Sequence, residues 1–118
     1  MQIVIDNETV KFENWKEKFR EQIEDQLRDI FSKAYGKVYG LTVVGIDKWN
    51  VEFVIVAPDT ISEEIRSKIN SNEVLKDSVL LEKAAIKIGN TIKRTRYFIE
   101  AKTEDELNSK LMYLNMMF

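Results

Sequence analysis

Between Lys83 and Ile99 the chain carries five basic side chains, Lys83, Lys87, Lys93, Arg94 and Arg96, and no acidic one. The protein as a whole has a net charge of −2, so this is a local concentration against the sign of the chain. Cations grouped in this way can neutralise phosphates, and an aromatic ring beside them, here Phe98, can stack on a base. Gly89-Asn90 is a tight-turn pair. Pairing across it sets Lys87 opposite Ile92, Ala85 opposite Arg94 and Lys83 opposite Arg96. Alternation then sends Lys83, Lys87, Arg94 and Arg96 to one face with Ile92 and Phe98. It sends Ala84, Ile86, Ile88, Thr95, Tyr97 and Ile99 to the other, core-compatible face. Lys83, Lys87, Lys93, Arg94, Arg96 and Phe98 are therefore the candidate nucleic-acid-binding residues. The same pattern also serves a solvated outer sheet face, kept charged to discourage edge pairing.

Other chemistry is poorly supplied. The chain has no cysteine and no histidine. That excludes disulfides, thiolate zinc sites and cysteine nucleophiles, and it removes the commonest general base and metal ligand. Glu63-Glu64 and Glu104-Asp105-Glu106 are acidic clusters, but both fall in the first turn of an expected helix, where acids offset the macrodipole. A nuclease of the Asp…Glu-x-Lys type could start from Asp47, yet Val54 stands where lysine is required. Tyr35-Gly36-Lys37-Val38-Tyr39-Gly40 lacks the residue order of an aromatic RNA-recognition strand. Tyr97 is expected to pack in the core rather than act as a nucleophile. The sequence thus predicts no catalytic residue, no cofactor and no metal site. The expected function is that of a non-catalytic binding or accessory protein working through protein contacts, with nucleic-acid binding as the alternative.

The C-terminus suggests where a protein contact would form. In Leu111–Phe118 one apolar stripe can be buried by the domain itself, while Met112, Met116, Met117 and Phe118 have no evident home in a helix-on-sheet layer. Methionine-rich surfaces adapt to partners, so these four residues are the candidate homodimer interface.

The elements that must position these groups read as follows. Met1–Phe12 alternates as a short hairpin turning at Asp6-Asn7-Glu8. In Glu13–Tyr35, Trp15, Phe19, Ile23, Leu27, Ile30, Phe31 and Ala34 form one helical stripe, and Gly36 supplies the cap. Lys37–Ile46 and Trp49–Ala57 form a hairpin turning at Asp47-Lys48. Its core face is expected to hold Val38, Val44, Ile46, Trp49, Val51, Phe53 and Ile55. Thr60-Ile61-Ser62-Glu63 is a capping box opening a helix to about Ile69, and Thr103-Glu104-Asp105-Glu106 is another, opening a helix through about Leu114. Between them lie a stretch over Glu73–Leu81 that suits helix or strand and a second hairpin, Ala84–Ile88 with Thr91–Ala101.

The predicted fold is a single α+β domain over residues 1–118. It is an antiparallel sheet of two hairpins, with a possible third at the N-terminus, and helices packed on one face. With 44% hydrophobic and 32% charged residues the composition is globular. Its Lys, Glu and Ile content is thermophile-like. No apolar run approaches the roughly 20 residues of a membrane span, and the N-terminus has no signal-peptide pattern. A cytoplasmic protein is expected, without a membrane partner.

Overall fold

The computed structural model describes residues 3–36 and 40–118, without the side chains of residues 3–16 and 78. Its elements run α1 (Ile3–Tyr35), β1 (Gly40–Asp47), β2 (Asn50–Pro58), α2 (Asp59–Asn70), a π-helical turn (Leu75–Val79), β3 (Leu81–Lys87), β4 (Ile92–Ile99) and α3 (Glu104–Met117). The four strands form one antiparallel sheet in the order β1-β2-β4-β3. Two hairpins in one sheet, with helices on one face, is the expected α+β architecture.

The N-terminal hairpin is a correction. From Ile3 onward the segment belongs to α1, and Met1 and Gln2 lie outside the described residues. Only two apolar residues alternate on each side of the expected turn, and that turn has no glycine. Ile5, Phe12 and Phe19 instead recur every seven residues, a helical spacing. Extending an existing helix also avoids the cost of a new nucleus. The helix ends where expected: Gly36 takes φ 71° and its N–H donates to the Ser32 carbonyl at 2.8 Å. Glycine adopts this left-handed conformation without a Cβ penalty. Of the expected stripe, Ile23, Leu27, Ile30 and Phe31 are buried, whereas Ala34 is exposed.

In the first hairpin the turn lies at Lys48-Trp49, with Lys48 at φ 55°, one residue later than expected. Asp47 pairs with Asn50 and Ile46 with Val51; a bulge at Val44 then re-phases the strand, so that Val43 pairs with Phe53 and Leu41 with Ile55. Val51, Phe53 and Ile55 are buried as expected. Val44, placed in the core by unbroken alternation, is 49% exposed, and Leu41 and Val43 fill the core instead. Ile46 and Trp49 pack half-buried at its margin, and Val38 lies outside the described residues. The extra residue of a bulge reverses the inward and outward positions on either side of it.

The core brings Leu41, Val43, Val51, Phe53, Ile55, Tyr97 and Ile99 of the sheet against Ile23, Leu27 and Phe31 of α1, Ile65 and Ile69 of α2, and Leu107, Leu111 and Leu114 of α3. Aromatic contacts run through its middle, with Phe53 stacked on Tyr97 at 5.4 Å and tilted against Phe31 at 6.2 Å. The two expected capping boxes diverge. Thr103 accepts from the Glu106 N–H at 3.1 Å, and the Glu106 carboxylate accepts from the Lys102 N–H at 2.9 Å. Thr60 is already inside α2, which starts behind Pro58 with no side-chain cap. The ambiguous stretch is both things in turn: Asn72 caps a π-helical turn by accepting from the Leu75 N–H at 3.0 Å, and β3 begins at Leu81.

Candidate nucleic-acid interface

The second hairpin sets the candidate site, and β4 sits inside the sheet between β2 and β3. Thr95, Tyr97 and Ile99 point into the core, so Arg94, Arg96 and Phe98 emerge together on the opposite face, as alternation requires. Cross-strand partners define three rows on that face. Arg94 lies between Val56 and Ile86, Arg96 between Val54 and Ala84, and Phe98 between Glu52 and Leu81. All the sheet residues of the core cluster belong to the other face, and among the described residues no helix covers this one. Val54 is buried without joining the core cluster, flanked by Thr42 and Arg96 within the sheet.

The register of β3 differs from expectation, and this changes which cations reach the face. Near the tip Lys87 pairs with Lys93, Ile86 with Arg94 and Ala84 with Arg96, one residue out from pairing across Gly89-Asn90. A bulge at Lys83 restores the expected phase, so that Glu82 pairs with Tyr97 and Leu81 with Phe98. Ile86, expected inside, therefore stands on the open face at 56% exposure, and Ile88 is exposed as well.

Lys87 is the corresponding correction, while Lys93, next to Arg94 on β4, takes the opposite face by alternation. Both turn to the helix side and meet α2. Lys93 Nζ bonds the Glu63 carboxylate and lies 3.3 Å from Asp59, with only 16% of its side chain exposed; Lys87 Nζ lies 3.6 Å from Asp59. The Lys93 ammonium holds the Glu63 carboxyl below the ordinary carboxylate range, and the Glu63 bond raises Lys93 in turn. Arg66 continues this chain to Glu82 at 3.0 Å. Asp59, Glu63 and Arg66 share one face of α2 at spacings of four and three, a pattern visible in the sequence, but only the observed register of β3 brings Lys87 to it beside Lys93.

Three cations remain on the open face. Lys83 Nζ sits 5.2 Å from the centre of the Phe98 ring. Arg96 reaches Glu52 at 3.6 Å, and Arg94 has no ion-pair partner among the described residues. Tyr97 is sealed in the core, where burial pushes its phenol well above the ordinary value; the Glu82 carboxylate adds to the rise, and the Arg66 guanidinium opposes it. Its hydroxyl and that of Thr95 are buried without hydrogen-bond partners in the described structure. Among the described residues no three acidic side chains converge as a metal site would require, and the acids of Glu104-Asp105-Glu106 lie in the first turn of α3. No described helix is long and apolar enough to cross a membrane.

The sheet edges are guarded. On β1 the outward Leu41 carbonyl accepts from Arg28 at 3.1 Å and the Val43 N–H donates to Glu24 at 2.9 Å, while those two side chains pair at 2.8 Å. On β3 the Lys83 bulge interrupts the ladder beside charged Glu82 and Lys87. Both are devices that discourage strand addition.

The candidate homodimer residues divide into two pairs. Phe118 is buried against Phe31 at 5.0 Å and Tyr35 at 6.1 Å, and Met117 packs on the core and accepts from Asn72 Nδ2 at 3.7 Å. These two serve the domain's own packing. Met112 and Met116 are 65% and 75% exposed, and Met112 borders a groove of about 580 Å³ between α1 and α3 that also touches Asp29, Ile30 and Leu111.

No protein-family model, curated protein or solved structure matches this chain.

Proposed function

We propose that this chain is a cytoplasmic, non-catalytic binding protein whose contact surface is the helix-free face of the sheet, and that its partner there is nucleic acid. One observation carries the reading: Lys83, Arg94, Arg96 and Phe98 share an uncovered face, where Glu52 pairs with Arg96 and Asp47 stands at the hairpin end, in a chain of net charge −2. Segregated positive charge attracts polyanions, and a ring among the cations suits a base.

The test is a salt titration with labelled oligonucleotides. Binding at low salt that weakens steeply as salt rises, and that the double variant Arg94→Ala/Arg96→Ala largely loses, supports the reading. No binding at low ionic strength ends it, because phosphate contacts are strongest there.

A second reading, self-association as a homodimer, is favoured by Met112, which stands exposed at the α1–α3 groove, and by Met116, exposed four residues further along α3. Sedimentation across a concentration series decides it. A dimer that Met112→Glu/Met116→Glu dissociates supports it, and a monomer at all concentrations removes it.

A further inference from the structure

We infer that the nucleic acid this face takes is single-stranded, with an unstacked base on Phe98. The inference rests on the nucleic-acid reading above and narrows it to a substrate class. It follows from the shape and the mixed chemistry of the face. Four strands at about 4.8 Å spacing make a surface roughly 14 Å across before side chains are counted. The major groove of a duplex, about 12 Å wide, admits a helix or a two-stranded ribbon but not such a face. A duplex could therefore meet it only through its phosphate ridges.

Phosphate ridges would waste most of what the face offers. Arg94 is set between Val56 and Ile86, Arg96 between Val54 and Ala84, and Phe98 beside Leu81. The cations are interleaved with apolar side chains, and Ile86 and Val44 are exposed there. Unpaired bases present flat apolar faces to such positions while their phosphates meet the arginines; paired bases keep those faces stacked inside the helix. Arg94 and Arg96 are two residues apart on one strand, about 6.7 Å along it, so they can meet neighbouring phosphates of one extended strand. The Lys83 ammonium now lies over the Phe98 ring and must swing aside to admit a base, which leaves it free to contact a phosphate.

The test uses the full chain and fluorescence anisotropy at low salt. The probes are a mixed-sequence DNA strand of about 12 nucleotides, within the range a small single-strand site covers, the RNA strand of the same sequence, and the blunt DNA duplex. At least one single strand is expected to bind more than about tenfold tighter than the duplex, and Phe98→Leu to weaken it by roughly fivefold or more, as loss of one stacked base does. Phe98→Tyr, which keeps the ring, should retain the affinity. The DNA and RNA arms tell which backbone is preferred. Duplex binding as tight as either strand overturns the inference while leaving the nucleic-acid reading in place; so does Phe98→Leu binding normally with an unchanged melting curve. Binding of none of the three probes removes the underlying reading itself. Should Phe98→Leu fail to fold, ultraviolet crosslinking of the wild-type chain decides: attachment within Ile92–Ile99 supports the inference, and attachment confined elsewhere overturns it.

Discussion

Lys93 and Arg94 are chain neighbours with opposite fates, because side chains alternate across a strand. Arg94 stands on the open face, while Lys93 is held under α2 by Glu63 and Asp59. Replacing Lys93 should therefore cost stability and leave oligonucleotide binding alone, the reverse of replacing Arg94. Lys93→Met is expected to lower the melting midpoint at neutral pH, and the deficit should depend on pH. Glu63 has a lowered carboxyl pKa in the fold, so its contribution is present above the ordinary value of 4.5 and is lost as pH falls through the lowered one. Lys93 has a raised pKa, so its contribution is present below the ordinary 10.5 and is lost as pH rises through the raised one. Melting curves of wild type and Lys93→Met should converge in strong acid and again in strong base. A deficit that stays constant across the whole range would show that Lys93 acts through packing of its stem, not through its charge.

At the scale of elements, what the sequence discloses depends on whether a local pattern leaves a mark. The α1 stripe from Ile23 to Phe31, the Gly36 cap and the Leu107/Leu111/Leu114 stripe were all legible, because helical spacing and capping chemistry are written in neighbouring residue types. The strand bulges were not. At Val44 and Lys83 one extra residue shifts the alternation, and neither is flanked by residues that signal it beyond Gly45. This single kind of irregularity moved Val44 out of the core and exchanged Lys87 for Ile86 on the open face. The N-terminal hairpin failed for another reason: two alternating pairs are too short to tell a strand from the beginning of a long helix. The two Thr-x-x-Glu boxes looked equivalent, but only Thr103 bonds a helix N–H. Thr103→Ala should accordingly lower stability by about 1 kcal/mol, the usual cost of a lost N-cap. In a thermal melt that is a drop of roughly 4–6 °C for a domain of this size. Thr60→Ala, inside α2 with no cap to lose, should leave the midpoint nearly unchanged. Equal losses in the two variants would mean that α2 is capped by Thr60 after all.

For the molecule as a whole, the arrangement of charge matters more than its amount. Both sheet edges carry devices that discourage strand addition, the Glu24–Arg28 pair on β1 and the bulge and charges on β3, which leaves the open face as the contact surface of the proposed reading. On the helix side Lys87 and Lys93 are matched by Asp59 and Glu63 and have little left to offer a polyanion. The count of available cations is thus smaller than the five of the sequence, and it sets the salt dependence of binding. A single strand releases about 0.7 counterion per phosphate neutralised, so Lys83, Arg94 and Arg96 together predict a slope of log affinity against log salt near −2. Participation of Lys87 and Lys93 would steepen it to about −3.5. Anisotropy titrations over a range of sodium chloride concentrations measure this slope directly, and Arg94→Ala should flatten it by about 0.7. The same substitution at Lys87 should leave it unchanged. A slope near −3.5 that Lys87→Ala reduces would show that the hairpin leaves α2 on binding, giving up its ion pairs with Asp59 and Glu63 to present all five cations at once.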